Sequence, residues 1–280
     1  MTCTVVRFRT TFPVPPRRED CKQGRFRWEA KMAIRGVVFD AVGTLFRSAR
    51  AISEVYAEAG RGWGADLSTA EVAKRFTPAF FRHFGRAGPG DAATMTATSE
   101  ELEELRWRRV VADVFQGVGG EHLFRQLWGH FASGAAWEVF ADVEPTWSEL
   151  RRRGLVLAIG SNYDRRIQSV VRELRPLSDC EHVFHSSAVG HAKPGVGFFR
   201  FIESSLGMGR DELLFVGDDL NNDYRGAINA GWNALWLVRS ASRSDQESGG
   251  SVDVDAERVA SLSEVAAWLD RDPVMASSAG

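Results

Sequence analysis

Four short polar clusters in this chain carry residue types that could do chemistry together. Asp40 opens the run Asp40-Ala41-Val42-Gly43-Thr44-Leu45. Ser161-Asn162 ends a second apolar run, and Lys193-Pro194 precedes a helical stretch. Asp218-Asp219, then Asn221, Asn222 and Asp223, follow a further apolar run. Brought together, Asp40, Asp218, Asp219 and Asp223 would repel one another and raise the pKa of some members. A divalent cation and a lysine would relieve that repulsion. Oxygen-only ligands, with no histidine or cysteine, suit Mg²⁺, which keeps several waters and needs few carboxylates. A remaining carboxylate can then attack as a nucleophile and carry a covalent intermediate. Ser161, Asn162 and Lys193 would hold the oxygens of a phosphoryl group and stabilise its charge in transfer. Taken singly, each cluster reads as a helix cap, a turn or a solvated lysine. Their order and their placement at strand ends carry the joint reading.

The elements that must position these groups are legible as short apolar runs alternating with helical patterns. Ile34–Asp40, Leu155–Gly160, His182–His185, Leu213–Gly217 and Asn233–Val238 read as strands. Pro145–Arg153, Arg165–Leu174, Phe198–Leu206, Tyr224–Ala230 and Leu262–Leu269 read as helices, three of them stopped by Gly154, Gly207 and Gly231. Near-continuous apolar strands alternating with helices mean a parallel sheet covered on both faces. Ligands of such sheets bind beyond the C-terminal strand ends, where the polar clusters lie. Residues 50–135 show helical periodicity alone and form an all-helical insertion after the first strand. Its Trp and Phe stripes read as bundle core.

The 280 residues leave room for about two domains. A 44% hydrophobic and 26% charged composition excludes wholesale disorder. The formal net charge of −2 gives no basic excess for non-specific nucleic-acid binding, and no apolar run reaches the length of a membrane span. Only Cys3, Cys21 and Cys180 occur, which excludes a disulfide framework and a cysteine zinc site. With no signal-peptide core, the expected location is the reducing cytoplasm. Residues 1–31 hold eight Lys/Arg and the helix breakers Pro13, Pro15 and Pro16, and read as a disordered basic tail or a misassigned start before Met32. Residues 271–280 read as a second tail, and Ser240–Ser251 as a loop.

VVFDAVGTLF, LAIGSN, the lysine of GHAKPGVGFF and LFVGDDLNNDYRGA resemble the four motifs of haloacid dehalogenase-like (HAD) hydrolases. The resemblance runs from Ile34 to about Leu269 and includes the helical insertion. It implies a Rossmann-like core of strand order 5-4-1-2-3, formed by residues 32–49 and 136–270, with a mobile cap formed by residues 50–135. Arg47–Ser48 and Ala135–Asp142 are the expected hinges. The resemblance also implies Asp40 as nucleophile, Ser161 and Lys193 on the transferred group, and Mg²⁺ on Asp40, the Val42 carbonyl and Asp218. Asp223 would act behind these ligands or through water. Asp219 stands where the family often has serine and has a lesser role.

The sequence departs from the family at one position. Family phosphatases carry a second aspartate two residues after the nucleophile, as general acid and base, and here that residue is Val42. Valine can neither protonate a leaving alkoxide nor activate water. Three readings follow. The first is a Mg²⁺-dependent phosphatase of a small phosphorylated metabolite that is slow, prefers good leaving groups, or borrows a base such as His83, His130, His185 or His191. The second is a 2-haloacid dehalogenase, whose FDAYGTLF is close to FDAVGTLF and whose halide needs no proton. The intact Asp218 and Asp223 argue for the metal enzyme. The third is a non-catalytic relative that binds a phospho-ligand. The expected state is a monomer or weak homodimer. Arg82 and Arg86 are cap candidates for an anionic substrate, and Gly85, Gly88, Gly90 and Asp91 read as a flexible loop between cap helices.

Overall fold

The structure is a computed structural model that describes residues 34–85, 96–239 and 255–271. The readings made for residues 1–31, for Arg86, for Gly88, Gly90 and Asp91, for Ser240–Ser251 and for the tail beyond 271 lie outside them. In chain order the elements are β1 (Gly36–Phe39), β2 (Phe46–Ser48), α1 (Ile52–Gly62), α2 (Thr69–Phe84), α3 (Glu100–Phe115) and α4 (Gly120–His130). There follow β3 (Trp137–Val139), α5 (Val143–Arg152), β4 (Val156–Ser161), α6 (Arg166–Glu173), β5 (His182–His185), α7 (Ser186–Val189) and α8 (Val196–Leu206). The chain continues through β6 (Leu213–Gly217), α9 (Gly226–Ala230), β7 (Asn233–Leu237), β8 (Arg258–Val259) and α10 (Glu264–Leu269).

The main sheet is parallel, in the order β5-β4-β1-β6-β7-β8. Counting only the five strands read from the sequence, this is the 5-4-1-2-3 order, with the two-residue β8 added beyond the fifth. β1 lies between β4 and β6, with Val38 opposite both Ala158 and Phe215. All four β1 residues and all five of β6 are buried, so period-two alternation is absent there, as a sheet covered on both faces requires. One face packs Val37, Phe39, Ile159 and Val216 against Trp147, Leu150, Ile167 and Val170. The other packs Val38, Ala158 and Phe215 against Phe198, Phe199, Ile202 and Trp232. Burying each such aromatic or aliphatic side chain contributes roughly 1.5–3 kcal/mol.

The helices α1–α4 form a third apolar cluster of their own, around Tyr56, Val72, Val110, Val114, Phe115, Leu123 and Leu127. Ser68 and Glu71 make a reciprocal capping box that fixes the start of α2, and the Ser99 hydroxyl accepts from Leu102 N at the start of α3. The chain enters and leaves this bundle through β2 and β3, which pair antiparallel: Phe46 lies opposite Val139, and Ser48 opposite Trp137. The expected hinge segments are therefore not free linkers. They form a two-stranded ribbon, and a shared register makes them bend together. Among the described residues, no helix is long and apolar enough to cross a membrane.

Candidate active site

The sheet delivers its polar residues to one edge. Asp40 follows β1, Ser161 ends β4, and Asp218 follows β6. Asp40, Asp218 and Asp223 offer carboxylate oxygens that all lie within 4.8 Å of one another. Lys193 reaches in from the loop before α8. Its Nζ donates to Asp40 Oδ1 at 2.6 Å, to Asp223 Oδ1 at 2.6 Å and to the Gly160 carbonyl at 2.9 Å. The lysine is 4% exposed, so these three acceptors replace its lost water.

Two glycines admit the carboxylates. Gly43 has φ +93°, and a Cβ there would lie 2.3 Å from Asp218 Oδ2. A Cβ on Gly217 would lie 2.2 Å from Asp223 Oδ2. Thr44 Oγ1 donates to Asp218 Oδ1 at 2.9 Å, and Trp236 Nε1 donates to the Asp218 carbonyl at 3.0 Å. Asp223 sits in a turn of π-helix spanning Leu220–Arg225, where its Oδ2 accepts from Asp219 N at 3.0 Å. Asp219 faces the other way and caps that turn, its Oδ1 accepting from Asn221 N and Asn222 N.

The electrostatics follow from two buried carboxylates and a half-buried one close to one cation. Burial, and then the negative charge of Asp40, push the Asp218 carboxyl up to about 7 against the pull of Thr44. Asp223 is raised well above the ordinary carboxylate range by burial and by Asp40 and Asp218, although Lys193 draws it down. Burial works against the Lys193 ammonium, but Asp223 and Asp40 outweigh it and raise its pKa. One lysine thus leaves the cluster short of positive charge. An oxygen-only donor set in that state fits a hard divalent cation such as Mg²⁺.

The other residues singled out from sequence fall as follows. Ser161 is buried at the end of β4, beside the cluster's strand ends. Both polar atoms of the Asn162 amide are spent on the lysine backbone: Lys193 N donates to Oδ1 at 2.7 Å, and Nδ2 donates to Lys193 O at 2.9 Å. Asn162 clasps the lysine loop. Val42 is 39% exposed, one of the few large apolar side chains left open to solvent. His83 bonds Asp113 at 2.9 Å, and His130 lines a small hollow with Arg50 and Glu58. His185 is buried against Ser187 and Gln168, and a Cβ on Gly197 would touch the ring of His191. Arg82 pairs with Asp113 at 2.6 Å. None of these partners belongs to the carboxylate cluster.

Two supporting groups carried no sequence signal. Arg239, just past β7, makes a bidentate pair with Asp142 at 2.9 and 3.0 Å and donates to the Thr44 carbonyl at 2.8 Å. It thereby holds the residue whose hydroxyl orients Asp218. Arg166 and Asp164 form a buried pair at 2.6 Å, with the guanidinium over the Trp128 ring at 3.5 Å.

An α/β sheet with carboxylates and a lysine at its C-terminal edge, carrying an inserted helical bundle, is the architecture of a class of hydrolases. The chain belongs to the haloacid dehalogenase-like hydrolases, whose family profile matches residues 34–231. Among its relatives is human haloacid dehalogenase-like hydrolase domain-containing protein 3, 27% identical over 74% of this chain and 83% of that one. A phosphoserine phosphatase of Thermus thermophilus is 29% identical over 56% of this chain and 64% of its own length. An L-2-haloacid dehalogenase shares the fold, with a TM-score of 0.61 and 19% identity over 86% of this chain and all of that one.

Proposed function

We propose that this hydrolase is a Mg²⁺-dependent phosphatase of a small phosphorylated metabolite, working in the cytoplasm through an aspartyl-phosphate on Asp40. The observation that carries this reading is the intact set of three carboxylates within 4.8 Å of one another, two of them buried and bonded by Lys193, with Asp218 pushed up to about 7 by burial and by the charge of Asp40. Mg²⁺ held by Asp40, the Val42 carbonyl and Asp218, with Asp223 behind them, would supply Lewis-acid polarisation of a phosphoryl oxygen. Lys193 and Ser161 bind the other oxygens and offset charge as it develops. An Asp40 carboxylate oxygen attacks phosphorus in line, the bond to the ester oxygen breaks, and the alkoxide leaves with the electron pair. That oxygen takes its proton from water, because Val42 has none to give. Water then attacks the phosphorus of the acyl phosphate and releases Asp40.

Loss of a general acid and base costs typically ~10²–10⁴-fold in rate, so the substrates that remain are those with stable leaving groups. The exposed apolar side chain of Val42 favours a second reading, dehalogenation of a 2-haloacid, since a halide leaves unprotonated. Hydrolysis of an activated aryl phosphate separates the two. Release that requires Mg²⁺, disappears in Asp40→Asn and rises in Val42→Asp supports the phosphatase. No release by wild type, with halide freed from a 2-haloacid in the presence of chelator, overturns it.

A further inference from the structure

Besides the β2–β3 ribbon, the helical cap touches the core at the catalytic lysine's own loop. Cap residues Thr96–Thr98 run antiparallel to Gly190–Ala192: Ala192 N donates to Thr96 O at 2.7 Å, and Thr98 N donates to Gly190 O at 3.1 Å. Thr96 and Thr98 are buried although they lie in a loop, and a Cβ on Gly195 would lie 2.6 Å from Thr96 Oγ1. Two residues on, Glu100 at the start of α3 accepts from Arg165 N at 3.1 and 3.2 Å and from Ser187 Oγ at 2.6 Å. Beside it, Arg166 of the core lies over the cap ring of Trp128, with Trp107 of α3 at 5.8 Å.

The loop of Lys193 is therefore gripped on two sides, by the Asn162 amide from the core and by residues 96–98 from the cap. A rigid bundle attached at a ribbon and at a strap cannot swing about the ribbon alone. Opening would break both backbone bonds, strip Glu100 of its two donors and withdraw the aromatic ring from a buried guanidinium.

We propose that residues 96–100 are a strap that positions Lys193 and stays docked through turnover, a reading that rests on the phosphatase mechanism above. Substrate then enters and leaves without release of this edge of the cap, which restricts it to small esters.

Residues 97 and 191 form the non-hydrogen-bonded pair of the bridge, the close-approach position of an antiparallel ladder. Cysteines at such a pair meet the distance requirement of a disulfide. In Ala97→Cys/His191→Cys, the oxidised protein is expected to hydrolyse aryl phosphate within about twofold of the same protein after reduction. Turnover lost on oxidation and restored by reductant would overturn the proposal. Amide exchange at Ala192 in wild type needs no activity and so stands apart from the phosphatase reading. Protection comparable to that of β1 supports the strap, and exchange as fast as in a fraying loop refutes it. In Glu100→Ala, exchange at Ala192 is expected to quicken and kcat to fall on the order of tenfold, with KM and thermal stabilisation by Mg²⁺ unchanged. Faster exchange with unchanged kcat would show that the strap does not position the lysine.

Discussion

Replacing Lys193 by methionine keeps the length of the side chain and removes the only cation that, among the described residues, is bonded to the cluster. Two carboxylates and the Gly160 carbonyl lose a donor at 2.6, 2.6 and 2.9 Å, all inside the protein. Breaking a buried ion pair from one side costs about 3–5 kcal/mol, because the partner's charge stays behind. For a protein of this size that is a fall in Tm on the order of 10 °C. The loss depends on pH with a defined sign. In wild type the Lys193 pKa is raised, so the lysine stays charged and its contribution is complete through the neutral range. In the variant, Asp218 and Asp223 start from raised pKa values and face ionisation with no cation. The folded protein then holds protons that the unfolded chain releases near the ordinary carboxylate pKa of about 4. Stability of the variant therefore falls as pH rises from there through about 7. Thermal melts in chelator should show the full deficit at about pH 8 and a smaller one at about pH 5.5. Adding Asp223→Asn to the variant should recover roughly 1–3 kcal/mol, as groups in direct contact do. An equal deficit at both pH values, or no recovery in the double variant, would refute the account of Lys193 as the counter-charge of buried carboxylates.

Gly43→Ala puts a methyl group 2.3 Å from Asp218 Oδ2 at a φ of +93°, so it should displace the carboxylate and weaken Mg²⁺ binding by at least about tenfold, read as a lost thermal shift on titration with Mg²⁺. Arg166→Met leaves Asp164 buried without its partner and takes the cation from the Trp128 ring, which should cost about 3–5 kcal/mol by urea unfolding; a loss under 1 kcal/mol would show that the pair is dispensable.

How much of this was legible in the sequence depends on whether the signal was local. His182–His185 and Leu213–Gly217 stand out as apolar runs and become β5 and β6 with those bounds. Asp40, Ser161 and Asp218 were legible because each sits at the end of such a run, and a parallel sheet brings those ends to one edge; Lys193 was legible ahead of a helical stretch, and Asp223 in the polar cluster that Asp218 opens. β8 was not legible, since two residues give no periodicity, and neither was the pairing of β2 with β3. The strap was hidden for a different reason. Nothing local in residues 96–98 marks a contact, and Thr96 and Thr98 are buried where they run beside Gly190–Ala192, more than ninety residues away in the chain. Asp164 and Arg166 stand at the start of a helical stretch with no local sign of burial, and in the fold they are interior, with Trp128 and Trp107 of the cap near the guanidinium. Asn162 was legible as polar and near the site, but its partner was not, because the geometry of an amide clasp depends on where the Lys193 backbone runs.

That clasp sets what position 162 will accept. The side-chain amide of asparagine has the shape of a peptide group, and here it pairs with both polar atoms of the Lys193 main chain, as a neighbouring strand would. Aspartate has no hydrogen to give, serine offers one atom where two are used, and glutamine carries the amide one methylene too far. The position should thus be nearly intolerant of exchange even with no chemical part in turnover. The serine loop and the lysine loop are in effect a single splice, and a change of length in either loop would have to be matched in the other.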